Sequence, residues 1–228
     1  NPHGSIDYSM GSFNTSKQSV SFGTGLLKNY FSLSGRISHI QSDGYIDRSD
    51  SDLKSYYLSA KFNSEKSMIE LISFGGIEET GQAWYGVPYS YIDNKKIRTY
   101  NPYTYENQID HYEQMHHQMH MHHIFSESFK ASSTLYYTKG KGYYENYESN
   151  ESLLNYGFSD DAIVNLVNRK WLDNDLFGFV FKTDVIKPGY SHQAGLSINK
   201  YDGIHYGKVM SIEGLSSLLN GNNEYYNG

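Results

Sequence analysis

The 228-residue chain contains no cysteine, so neither a disulfide framework nor a zinc-thiolate site is open to it; this absence permits an oxidising compartment without choosing one. Proline is scarce, at 4 residues, and charged residues make up only 19% of the chain. Long hydrophobic runs are missing as well. The longest clean stretch, Phe177 to Phe181, is already broken by Gly178, far short of the roughly 18 apolar residues that a membrane helix needs. There is no excess of positive charge: 19 Lys+Arg stand against 25 Asp+Glu, a formal net charge of -6. Phosphate binding draws on clustered Lys and Arg, so nucleic acid is excluded as a partner.

Aromatic residues are abundant instead, at 16% with 23 Tyr, which argues against a disordered chain. The dominant pattern is two-residue alternation. Val20, Phe22, Thr24 and Leu26 oppose Ser19, Ser21, Gly23 and Gly25, and Phe31, Leu33, Ile37 and His39 oppose Ser32, Ser34, Arg36 and Ser38. The scheme recurs at Tyr56, Leu58, Ala60 and Phe62, at Ala131, Ser133, Leu135 and Tyr137, at Phe177, Phe179 and Phe181, and at Ala194, Leu196 and Ile198. Such segments are strands with one apolar and one small or polar side. Residues 68–77 are blurred, because Ile69 and Leu71 compete with Ile72 and Phe74.

The connections also alternate. Residues 28–29, 63–66, 126–128 and 186–189 read as tight turns, whereas residues 43–52, 79–110, 142–175 and 201 onward read as long loops rich in Tyr, Asn, Asp, Ser and Gly. Short turns at one end and long loops at the other are the signature of an antiparallel up-and-down transmembrane β-barrel, with periplasmic turns, extracellular loops and aromatic girdles. A water-soluble β-sandwich also alternates, burying its apolar face in its own core, and stands as the competing architecture. One short loop helix is expected from Ser159, which can cap it, through Asp160 and Asp161 in its first turn and an apolar face of Ile163, Leu166 and Val167, to Arg169 and Lys170.

The most unusual composition lies at residues 111–123, with six of the ten histidines and three of the six methionines. On a strand, Tyr112, Gln114, His116, Gln118, His120 and His122 share one face, expected to be the lumen, and Glu113, Met115, His117, Met119, Met121 and His123 share the other, expected to be the lipid face. Alternate histidines lie about 7 Å apart at the Cα, within reach of one shared ion. His120 and His122 form the best such pair, and imidazole with thioether points to copper or zinc; the alternative is an ordinary polar wall. No other cofactor is expected. Asp110 beside His111, and Asp202 near His205, offer acid–base pairs, yet a G-x-S-x-G elbow and a phosphate loop are both lacking, so an enzyme is not expected and a membrane hydrolase ranks last. The long loops are built for recognition: Trp84, Tyr85, Tyr103, Tyr105, Tyr143, Tyr144 and their neighbours offer flat amphipathic rings at small rotamer cost.

Several blocks resemble the barrel region of TonB-dependent outer-membrane receptors, and they occur in the same order. These are Gly23-Thr24-Gly25, Ser42-Asp43-Gly44-Tyr45-Ile46-Asp47-Arg48, Glu79-Thr80-Gly81-Gln82-Ala83-Trp84-Tyr85-Gly86, Tyr137-Thr138-Lys139-Gly140-Lys141-Gly142-Tyr143-Tyr144 and Tyr201-Asp202-Gly203-Ile204-His205-Tyr206-Gly207. The resemblance implies a barrel of about 22 strands, plugged by an N-terminal domain, in the outer membrane of a Gram-negative bacterium. It also implies uptake of a scarce nutrient, an iron–siderophore or similar metal chelate, powered through TonB. Roughly nine or ten strands are expected here, so residues 1–228 are expected to be one partial barrel domain, without the plug region that meets TonB. Outer-membrane lipid and a small-molecule or metal-chelate ligand are the implied partners. Trp84, Tyr85, Tyr143, Tyr144, His116, His120 and His122 are the expected ligand contacts. A self-contained module binding carbohydrate or protein is the alternative.

Overall fold

The computed structural model describes residues 2–215, 218–219 and 223–227. It consists of one antiparallel sheet of ten strands in sequence order: β1 (His3–Met10), β2 (Ser16–Gly23), β3 (Phe31–Ser42), β4 (Ser51–Asn63), β5 (Ser67–Gly81), β6 (Ile109–Ser126), β7 (Phe129–Ser152), β8 (Ile163–Lys187), β9 (Tyr190–Ile212) and β10 (Glu224–Asn227). Each strand pairs with its neighbours in sequence, which is the up-and-down arrangement.

The four tight turns expected from the sequence gather at one end, while a further short turn at residues 11–15, between β1 and β2, lies at the other. Lys28 and Asn29 adopt left-handed φ of 46° and 64° under a bridge between Leu27 and Phe31, and Gly189, at φ 86°, closes the turn after Pro188. Ser64 accepts a side-chain hydrogen bond from the Ser67 amide in the turn between β4 and β5. Asn and Gly tolerate the positive φ that such reversals demand.

At the other end two expectations are corrected. The loop expected at residues 142–175 shrinks to 153–162, because β7 and β8 rise as a long hairpin, and β9 likewise runs on to Ile212. Apolar alternation stops where a strand leaves hydrocarbon, but the backbone ladder continues without it. The expected helix from Ser159 is absent. Asp160 accepts the Ala162 amide in a local turn, Ile163, Leu166, Val167, Arg169 and Lys170 lie in β8, and a short 3₁₀ turn at Leu153–Tyr156 caps the hairpin. Leu166 pairs with Glu148 on one side and Ile212 on the other, so a helix would forfeit two ladders. Asn165 and Asn168 are poor helix residues besides. Leu166 packs with Leu153, Val209 and Ile212 in a small loop-end core.

Two adjacent rows show how the faces divide. Leu33, Ala60, Leu71, Met119, Leu135, Phe179 and Ile198 follow one another across seven strands. The next row, on the opposite face, runs Ser32, Lys61, Glu70, His120, Thr134, Val180 and Ser197. Leu71 is 51% exposed and Leu135 46%, whereas Ser59 on the polar face is 5% exposed, so the polar face is the enclosed, inner one. A sandwich would have buried the leucines against a second sheet; here they form an outer belt of the kind that hydrocarbon solvates.

The belt is oblique to the hydrogen-bond rows. One outer row begins Val20, Ile37, Tyr56, passes Gly75 and Met115, and ends Lys139, Asp175, Asp202. Rows run perpendicular to strands, so a row that leaves the belt means that the strands tilt within it, the stagger of a closed barrel wall. Above the belt the Lys139 ammonium donates to Asp173 and Asp175, and the Tyr137 hydroxyl to Asp175.

Candidate functional site

The long connection at residues 82–108 carries a cluster of rings to the inner side of the loop end. The Trp84 ring lies 5.4 Å from Tyr144 and 6.5 Å from Tyr103, both edge-on, and Tyr85 lies 5.3 Å from Tyr103. Trp84 and Tyr85 stay more than half exposed, so their faces are free to meet a ligand. Tyr144 shares its inner row with Asp110 and Lys170, and the Lys170 ammonium sits 5.6 Å from the Tyr144 ring centre. Burial, and then the neighbouring Tyr85, hold the Tyr103 hydroxyl above the usual phenol range.

Tyr143 does not join this group. Adjacent strand residues point to opposite faces, and Tyr143 turns outward into a row of His111, Tyr143, Trp171 and Tyr206, with the Arg169 guanidinium 4.0 Å from its ring centre. Tyr143 and Tyr144, both expected as ligand contacts, thus lie on opposite faces of the sheet.

The residues that place the cluster escaped the sequence reading. Gln82 and Asn101 are each 1% exposed and Glu145 3%. The Asn101 amide donates to the carbonyls of Asp47 and Gln82, and Arg48 donates to those of Asn101 and Tyr103, tying residues 82–108 to the loop between β3 and β4. Glu145 accepts from Tyr105, Asn107 and Arg169. Burial first, and the bond to Glu145 second, push the Tyr105 hydroxyl up to about 12. Single polar residues that bond across the chain give no periodic signal by which to find them.

The histidines form a second inner patch, roughly 20 Å or more toward the turn end at 3.3 Å per strand residue. His116, His120 and His122 face inward as expected, and Met115, Met119 and Met121 face outward. Thr138 and Gln114 lie within hydrogen-bond distance of the His116 ring nitrogens, at 2.9 and 3.2 Å, and Thr134 and Gln118 of those of His120, both at 3.0 Å. The His116 ring also stacks on Phe74 at 4.5 Å. His120 and His122 border a depression of about 420 Å³ with Met68, Glu70, Ser132 and Thr134. Among the described residues no three His, Asp or Glu side chains converge as a metal-holding group. The acid–base pairs also come apart: Asp110 faces inward while His111 faces outward toward Glu79, and Asp202 and His205 lie on opposite faces.

No protein-family model and no curated protein matches the chain. Solved structures do. The siderophore receptor PiuA from Acinetobacter baumannii superposes with a TM-score of 0.68 at 15% identity, over 96% of this chain and 34% of its own. The ferric-catecholate import receptor Fiu from E. coli K12, in its closed form, gives a TM-score of 0.65 at 10% identity, over 92% of this chain and 32% of its own. BauA, the ferric preacinetobactin receptor from Acinetobacter baumannii, gives 0.65 at 10%, over 92% and 31%. The chain thus spans about a third of the length of these receptors. At these identities the likeness is one of fold, and it covers nearly the whole sheet. The chain has the fold of a ten-strand section of the barrel of outer-membrane siderophore receptors.

Proposed function

We propose that this chain is a barrel section of a TonB-dependent receptor in the outer membrane of a Gram-negative bacterium. The complete protein binds a scarce nutrient, an iron–siderophore or similar metal chelate, and imports it with energy delivered through TonB to a plug region. The reading assigns binding and transport, not catalysis. The observation that carries it is the inner ring cluster of Trp84, Tyr85, Tyr103 and Tyr144 at the loop end of a receptor-type barrel wall. A chelate arriving from the loop end meets these rings first, and the inner histidines His116, His120 and His122 lie further along the same wall.

The test uses the complete receptor and radio-iron chelates of the catecholate and hydroxamate classes. Trp84→Ala with Tyr85→Ala is expected to weaken the chelate that binds by about tenfold or more, the range of aromatic anchors in an interface. Unchanged affinity removes the two rings from the site. His120 and His122 are proposed as a secondary contact for copper or zinc itself; elemental analysis that finds neither metal after dialysis against micromolar salt ends that part of the reading.

A further inference from the structure

β7 outruns its neighbour. The β6 partner of Tyr144 is Asp110, β6 begins at Ile109, and β7 continues to Ser152, so the β6-side edge of its upper part has no strand beside it. The two ends of the 82–108 connection meet this part of β7, one on each face. On the inner face Trp84 packs against Tyr144; on the outer face the Tyr105 ring stacks on Tyr147 at 5.9 Å. Between them, the Glu145 carboxylate accepts Tyr105 Oη at 2.8 Å and Asn107 Nδ2 at 2.6 Å on one oxygen and Arg169 Nε at 2.6 Å on the other. The edge carbonyl of Glu145 accepts Gln82 Nε2 at 3.1 Å, and the same amide group reaches the Ile109 carbonyl at 2.9 Å.

From this geometry we infer that Glu145 is a positioning residue for ligand capture: it clamps residues 82–108 across the edge of β7 and so holds Trp84 and Tyr85 ready before a ligand arrives. It cannot touch the ligand, because it points to the outer face while the rings gather on the inner one. A buried carboxylate with three donors on it is costly to leave half-satisfied, so its bonds to Tyr105 and Asn107 persist, and a loop fixed in advance loses less entropy on binding. Arg169 anchors Glu145 from β8, and Gln82 repeats the clamp at the start of the connection. The inference rests on the receptor reading for its purpose, though not for its geometry.

The test removes the loop's half of the clamp and keeps the Glu145–Arg169 pair, so the barrel retains its buried charges in balance. Hydrogen exchange of the complete receptor carrying Tyr105→Phe and Asn107→Leu is expected to quicken roughly tenfold or more in peptides from residues 83–107, while peptides from the lower parts of β6 and β7 keep wild-type rates. A ferric tris-catecholate or ferric trihydroxamate that binds the wild type is expected to bind the variant several-fold more weakly and to restore the loop's protection when saturating. Unchanged loop exchange overturns the inference. Equal quickening throughout β6 to β8 also overturns it, because Glu145 would then be a general support of the wall. Failure of the wild type to bind either chelate counts against the receptor reading alone, since the local exchange result still decides the clamp.

Discussion

At the scale of single residues, the chemistry concentrates in groups whose setting departs from that of an exposed side chain. Tyr105 is the clearest, its hydroxyl raised to about 12 by burial and by the carboxylate it serves. The sign of the consequence follows from proton counting. Between about pH 10 and pH 12 the unfolded chain has released the phenol proton while the folded one retains it, so the contribution is complete below pH 10 and falls as pH rises. Spectrophotometric titration is expected to show Tyr105 ionising above the ordinary phenol range, with loop exchange quickening over the same range. Tyr105→Phe should lower the amplitude of the late-ionising component, which Tyr156 shares; a titration unaltered by the substitution would count against the bond to Glu145.

At the scale of elements, the crossing of the β3–β4 and β5–β6 connections depends on one glycine. Gly81 pairs its amide with the Asp50 carbonyl, and a Cβ there would collide with the carbonyl oxygen of Arg48. That oxygen is backbone, held by the left-handed φ of 56° at Arg48, so it cannot swing aside as a side-chain tip could. Gly81→Ala is expected to destabilise the wall by about 1–3 kcal/mol, as overpacking does, and to loosen residues 82–108 first. Denaturant midpoints in lipid vesicles would measure the cost, and an unchanged midpoint would show that the two connections do not lean on each other. The blurred alternation of β5 also has its explanation here: Ile72 and Phe74 point inward, Phe74 to lie under His116, while Ile69 and Leu71 serve the outer belt.

At the scale of the whole molecule, the face assignment carries a directional prediction. Leu135 lies on the outer belt and Thr134 beside it on the inner wall. Leu135→Arg is expected to cost about 2–4 kcal/mol of folding free energy in a bilayer, the penalty for a cation near the middle of the lipid face, whereas Thr134→Arg should cost much less. Refolding of the complete protein into vesicles across a urea series would compare the two. Equal penalties would mean that the faces have been interchanged. Because a row such as Val20 to Asp202 climbs out of the belt, the depth of a residue is set by its strand as well as by its row.

Alternation in side-chain size and polarity determined by itself that the chain forms strands, which side of most strands is apolar, and which connections are tight, because a strand's period of two and the residues of a reversal are local properties. It also placed His116, His120 and His122 inward and Met115, Met119 and Met121 outward. Local sequence did not determine how far the strands continue above the belt, for there apolar and polar residues no longer alternate by face and pairing with a neighbour keeps the chain extended. The helix expected from Ser159 failed for the same reason, since two adjacent ladders outweigh a capping residue and an apolar spacing. Nor could a stretch read as loop place Tyr143 and Tyr144 on opposite faces, or bring Gln82, Asn101, Arg48 and Glu145 together. These contacts join residues far apart in the chain through single hydrogen bonds, so they have no period to read, and only the tertiary structure decides which buried donor meets which acceptor.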